Sequence, residues 1–163
     1  MNNSDTDKVF SGSIPELYDT ILVPLIFESY AADLVKRLSS RSLSNVLEIA
    51  AGSGVLTRAL VSELSQRVSI VATDLNQAML DRALKIGTKR AVEWHQADAM
   101  QLPFPDGKFD AVVCQFGFMF VPEKSKAFFE ARRVLKPGGI FVFNVWDRIE
   151  ENEFADTVTA ALE

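Results

Sequence analysis

The run 46–54, VLEIAAGSG, constrains this chain more than any other stretch. An apolar run with a β-branched start, ending in small residues and two glycines, predicts a buried strand that turns sharply into a helix over 55–64. Gly52 and Gly54 let the backbone turn where a Cβ would clash, so a ligand can approach the peptide chain beside the N–H groups of the helix start. Glu48, near the carboxyl end of the strand, is expected to place a negative charge there. Such a charge suits a cationic or hydroxyl-rich ligand better than a pyrophosphate, which it would oppose.

Around that run the chain alternates strand and helix. Residues 1–12 are polar and expected to be loose, and Ser13 with Glu16 around Pro15 resembles a capping box that opens a helix. Pro24 is expected to interrupt that helix, with a second helical piece over 25–38. The aromatic side chains of Tyr18, Phe27 and Tyr30 then either pack against the sheet or form part of a lid. A second strand over 67–73 ends in Asp74, and Asn76 caps a helix expected to bury Met79, Leu80, Ala83 and Leu84. A third strand over 92–96 leads to Asp98, and a fourth over 109–114 runs into Gln115, Phe116 and Gly117, after the turn-rich LPFPDGKFD. A helix over 122–135 is expected to pack through Phe128, Phe129 and Leu135 and to be stopped by Lys136, Pro137, Gly138 and Gly139. The fifth strand follows over 140–145.

Five alternations with short connections predict right-handed crossovers and hence a Rossmann-like α/β fold, a doubly wound parallel sheet of five strands in the order 3-2-1-4-5 with flanking helices. In such a sheet ligands bind outside the carboxyl ends of the strands. Glu48, Asp74, Asp98 and Gln115 fall at four of those ends, a recurrence that helix capping alone does not explain.

Composition narrows the ligand. A length of 163 residues fits one domain, 1–163, with a substantial core. No apolar run is long enough to span a bilayer, and the polar start MNNSDTDKVF lacks the core of a signal peptide, so no membrane partner is expected. A formal charge of −5 disfavours nucleic acid and leaves a small neutral or cationic molecule easier to accommodate. Cys114, the only cysteine, lies in an apolar stretch and reads as a buried thiol of a reduced, cytoplasmic protein. His95, the only histidine, has no Cys or carboxylate at metal-ligand spacing, so it reads as a structural or surface residue and no metal site is expected.

These motifs together resemble the class I S-adenosylmethionine-dependent methyltransferases, in particular the ubiquinone and menaquinone biosynthesis-like, type 11 branch. The likeness covers most of 14–147 and rests on VLEIAAGSG, ATDLNQAML, HQADAMQLPFPDGKFDAVVCQFGFMF and EARRVLKPGGIFVFNVW. It implies S-adenosyl-L-methionine as cofactor and a small-molecule methyl acceptor. By the resemblance, the loop Ala50, Gly52 and Gly54 holds the methionine part, with Glu48 at its base. Asp74 takes both ribose hydroxyls, with Leu75 beside it. Asp98 accepts from the adenine amino group, Ala99 adds a backbone contact, and Gln115 stands near the methionine end. Ala50 departs from the glycine common in the family at that position.

Methyl transfer from a sulfonium needs alignment in a water-poor site more than a catalytic cluster, and no general base is identifiable. A nicotinamide-dependent oxidoreductase also places an acid twenty positions after Gly54, at Asp74, but the third glycine of GxGxxG would fall at Thr57. The other alternative is a non-catalytic or truncated domain that keeps the cofactor site, because relatives of this kind are expected to continue beyond the fifth strand. That strand would then be an open apolar edge through which copies of the chain associate. The acceptor pocket is expected from the N-terminal helices and the loops after strands four and five, the least patterned parts of the chain.

Overall fold

The computed structural model describes residue 16 and residues 18–162. The expected capping box at Ser13 lies outside them, as do residues 1–12. The first described element is a π-helical run, Tyr18–Phe27, which passes directly into α1, Glu28–Leu38. Pro24 sits inside that run and does not break it, contrary to the expectation from sequence. A π-turn is wider than an α-turn, which leaves room for the pyrrolidine ring that an α-turn would press against a carbonyl.

The sheet contains β1 (Asn45–Ile49), β2 (Ser69–Asp74), β3 (Glu93–Gln96), β4 (Phe109–Gln115) and β5 (Leu135–Asn144). All pairings are parallel, and the order is β3-β2-β1-β4-β5, as the alternation predicts. The intervening helices are α2 (Val55–Glu63), α3 (Gln77–Ile86) and α4 (Lys124–Val134), and α5 (Glu153–Leu162) follows β5.

Alternation along β1 divides the core. Val46 joins Leu34, Leu38, Leu56 and Leu60 of α1 and α2 on one face, while Leu47 and Ile49 join Phe109, Val112, Ala127 and Ala131 on the other. A strand buried on both faces has to read as a continuous apolar run, which is why VLEI and AVVC look as they do. Cys114 is fully buried, and burial pushes its thiol up to about 12, so it behaves as the small hydrophobe its neighbours predict.

Three apolar residues depart from their expected burial. Leu84 is 53% exposed, because α3 buries only Met79, Leu80 and Ala83. Phe129 is 66% exposed, and Phe128, 41% exposed, reaches the core through the rings of Phe118, Phe141 and Phe143; α4 otherwise packs through Ala127, Ala131 and Val134. Small residues at that spacing let the helix approach the sheet closely, and Phe129 lies on the outer side. The end of α4 also differs. β5 begins at Leu135, opposite Phe109, and the register then slips so that Ile140 faces Ala111. The KPGG segment is therefore a bulge within β5, with Gly138 at φ +78°, and Val145 lies beyond the strand. None of the helices among the described residues is long and apolar enough to cross a membrane.

Candidate functional site

The register aligns Ile49 with Thr73, Asp74 with Gln96, and Gln115 with Asn144, so the carboxyl ends of the strands share one edge. The loop after β1 lies on that edge. Ala50 has φ +55° and Gly52 φ +56°, and Gly54, at φ +84°, is the N-cap of α2. The two glycines serve different purposes. A Cβ on Gly54 would come within 3.0 Å of Trp94 and 3.3 Å of Ala83, so that glycine admits protein packing. A Cβ on Gly52 would meet only the Met79 methyl at an ordinary 3.5 Å, which leaves that side of the loop open to a ligand. Ala50 adopts a left-handed conformation that favours glycine, which gives a physical reason for the glycine usual at that position.

Contrary to the N–H groups expected to be open beside the helix start, the amides of Ala51, Gly52 and Gly54 are engaged within the protein. Ala51 N–H donates to the Thr73 carbonyl at 2.9 Å, Gly54 N–H to the Ala51 carbonyl at 2.9 Å, and Gly52 N–H to Asp74 Oδ2 at 2.8 Å. Asp74 Oδ1 accepts from Asn76 N–H at 2.8 Å. Asp74 thus clamps the loop from the end of β2, with its carboxylate on the edge where a ligand would lie. Ala97 N–H donates to the Asp74 carbonyl at 2.9 Å, which brings the segment carrying Asp98 alongside. Asp98 Oδ1 accepts from Met100 N–H at 2.8 Å, so its carboxylate is held by its own turn. Ala99 packs against the core beside it, and Leu75 is exposed next to Asp74.

Glu48 does not carry the charge expected of it. It is 1% exposed, and burial pushes its carboxyl up to about 8 despite a 2.6 Å hydrogen bond donated by the Thr57 hydroxyl. The strand alternation turns Glu48 toward α2 and away from solvent, so near neutral pH it is mostly protonated. Its backbone carbonyl accepts from the Thr73 hydroxyl at 2.9 Å, making it part of the frame beneath the loop.

Gln115 donates from Nε2 to the Phe27 carbonyl at 3.2 Å, which ties β4 to the N-terminal helix. Its Oε1 is buried without a hydrogen-bond donor among the described residues. A buried acceptor in that state fits a ligand that brings a donor. Beyond it, Phe116 has φ +52°, and its N–H donates to Asn144 Oδ1 at 2.9 Å. Trp146 stacks on Phe116 at 4.2 Å, and Tyr30 stands edge-on to both rings at 5.0 and 5.6 Å. Tyr30 and Phe27 therefore form an aromatic wall with the chain after β4 and β5, while the Tyr18 side chain lies outside the described set.

Two functional candidates carry no sequence signal. Asn144 ends β5 and fixes the turn after β4, and Asp19 reaches the β1 loop from the π-helical run. His95 contacts Glu93 at 2.6 Å on the outside of β3, in keeping with a surface role. The described residues contain no cluster of metal-ligating side chains.

A family model described as "Methyltransferase domain" matches residues 47–143, the span that contains this whole site. The chain belongs to that methyltransferase family. It is similar to the "Ubiquinone/menaquinone biosynthesis C-methyltransferase UbiE" of Pseudomonas savastanoi pv. phaseolicola, 37% identical over 150 residues and covering 78% of this chain. The protein of the same name from Ectopseudomonas mendocina is 44% identical over 100 residues, covering 59% of this chain and 39% of that one. This chain spans 59% of the length of the first of these relatives. Among solved structures, the YcgJ protein of Bacillus subtilis aligns with a TM-score of 0.63 at 28% identity, over 71% of this chain and 50% of that one. A SAM-dependent methyltransferase from Aquifex aeolicus shares the fold, with a TM-score of 0.64 at 23% identity over 90% of this chain and 74% of that one. The cofactor of this family is S-adenosyl-L-methionine, and the open side of Gly52 and the orphaned Gln115 oxygen fit such a molecule.

Proposed function

We propose that this chain is a single S-adenosylmethionine-binding unit, 1–163, that serves methyl transfer to a small-molecule acceptor in the cytoplasm. The observation that supports the reading is that Asp74, which holds Gly52 of the loop, the segment carrying Asp98 beside it, and the orphaned Gln115 oxygen at the end of β4 lie at the carboxyl ends of neighbouring strands. When bound, the cofactor supplies an activated methyl group on a sulfonium.

Each residue then has a task. Asp74 accepts from the ribose hydroxyls, and Asp98 accepts from the adenine amino group. Leu75 covers the base, and Ala99 contributes its backbone. Gln115 Oε1 accepts from the ammonium of the methionine part, which lies along the open side of Gly52, while Gly54 lets the helix behind it pack. Glu48, protonated beneath the loop, holds Thr57 and shapes the site without adding charge. Tyr30, Phe116 and Trp146 give the acceptor side an apolar, water-poor wall, and alignment there supplies much of the rate. Such a wall suits a flat ring better than a nucleic acid, in keeping with the names of the curated relatives.

Calorimetry with S-adenosylmethionine and, separately, with NAD tests the cofactor: binding of the first alone is expected, and binding of NAD alone would replace the reading with a dehydrogenase. Release of S-adenosylhomocysteine across a panel of aromatic and quinol acceptors then tests transfer.

A further inference from the structure

The β1 loop is held from a third direction, by a group outside the sheet and outside the residues that the resemblance assigns. Asp19 of the π-helical run is 12% exposed. Its Oδ1 accepts from the Ser53 hydroxyl at 3.0 Å and from Arg58 Nη2 at 3.3 Å, and its Oδ2 from Arg82 Nη2 at 3.0 Å. Arg58 in turn donates from Nη1 to the Ser53 carbonyl at 2.7 Å. Ser53, itself buried between the two glycines of the loop, is thus gripped at its side chain by Asp19 and at its carbonyl by Arg58. The single carboxylate also lies between two guanidinium groups, one on α2 and one on α3. Removing it would leave Arg58 and Arg82 close together with, among the described residues, only Glu16, 4.0 Å from Arg82 Nη1, as a counter-ion, and would free the Ser53 hydroxyl.

From this we infer that Asp19 is a positioning residue for the methionine half of the cofactor: it locks the N-terminal helix onto Ser53 and so sets the loop geometry before the ligand arrives. The inference rests on the proposed cofactor reading and goes beyond it, because it makes the N-terminal helix a determinant of cofactor affinity. It also predicts an asymmetry. The adenosine half rests on Asp74 and Asp98, which Asp19 does not touch, so only the ligand that reaches Ser53 should sense the change.

The test compares the full chain with Asp19→Asn and Ser53→Ala, each checked for folding by thermal melting. Calorimetry should show S-adenosylmethionine binding weakened about tenfold by Asp19→Asn, with adenosine binding changed less than about twofold. Ser53→Ala, which removes only the hydroxyl donor, should shift affinity in the same direction by less. Equal loss for both ligands would make Asp19 a general stability residue, and no loss for either would make it incidental; both outcomes overturn the inference. Hydrogen exchange of the ligand-free proteins gives an independent arm, with faster exchange expected over 18–27 and 53–58 in Asp19→Asn. Should the unaltered protein bind no S-adenosylmethionine, the cofactor reading fails, and unchanged exchange in Asp19→Asn would separately dispose of the lock.

Discussion

At Ala50 and Gly117 two backbone segments meet without room for another methyl group. A Cβ on Gly117 would stand 2.3 Å from the Ala50 Cβ and 2.9 Å from Cys114 Sγ, while Ala50 itself bears a left-handed φ. Ala50→Gly is therefore expected to relieve strain and raise stability by about 0.5–1 kcal/mol. Gly117→Ala should cost about 1–3 kcal/mol, and combining it with Ala50→Gly should recover part of that loss, a coupling that urea denaturation of the four proteins measures. Asp74→Ala should weaken S-adenosylmethionine binding by roughly 1.5–3 kcal/mol, through loss of charge-assisted hydrogen bonds. Because Asp74 also receives the Gly52 and Asn76 amides, the variant should be folded but less stable; unchanged affinity would remove Asp74 from the site. Asp98→Asn should instead blunt discrimination between the cofactor and an analogue altered at the adenine amino group. Glu48 gives a pH signature. Its folded value, raised from 4.5 to about 8, means that the native state holds a proton the unfolded chain has released, so stability falls as pH rises across that window. Glu48→Gln removes the titrating group, and its denaturation midpoint should change less between about pH 5 and pH 8 than that of the unaltered protein.

At the scale of elements, α4 shows how spacing decides which side of a helix is buried. Ala127, Ala131 and Val134 are fully buried against β4 and β5, whereas Phe129 lies on the outer side. Ala131→Phe should therefore cost about 1–3 kcal/mol by overpacking. Phe129→Ser should stay within about 0.5 kcal/mol of the unaltered protein. The opposite order in a thermal melt would mean that Phe129, and not Ala131, faces the sheet. Phe128 is the intermediate case: its ring lies 4.9 Å from Phe118 and 5.6 Å from Phe143, in a cluster that runs toward the edge of the sheet. The π-helical run is equally informative, since it carries Pro24 without a break and delivers Asp19 to the loop and Phe27 to Gln115. Local propensity places a helix boundary at Pro24, but contacts on either side of the proline hold the segment to the sheet.

For the molecule as a whole, the sheet has an open side. Among the described residues β5 pairs only with β4, and Phe120, Phe129, Phe143, Val145 and Trp146 are exposed on or near that side. An uncovered strand with apolar neighbours is a template for further pairing. Sedimentation at micromolar concentration is expected to show reversible self-association, reduced by Phe143→Lys; a strict monomer at every concentration would exclude it. What the sequence by itself determined is whatever follows from order along the chain. The alternation of strand and helix predicts the 3-2-1-4-5 sheet, and apolar runs ending in Asp74 and Gln115, with Asp98 just past a third, place those residues on one edge, because strand ends in a parallel sheet share a side. Tertiary structure alone decided what depends on burial and on distant partners. Glu48 keeps its proton because α2 covers it, and no local pattern encodes that. Asp19 reaches Ser53 across 34 residues and Arg82 across 63, and the outward turn of Phe129 follows from how closely α4 approaches the sheet. Periodicity is a property of neighbouring residues, whereas charge state and ion pairing are set by whatever the fold brings near.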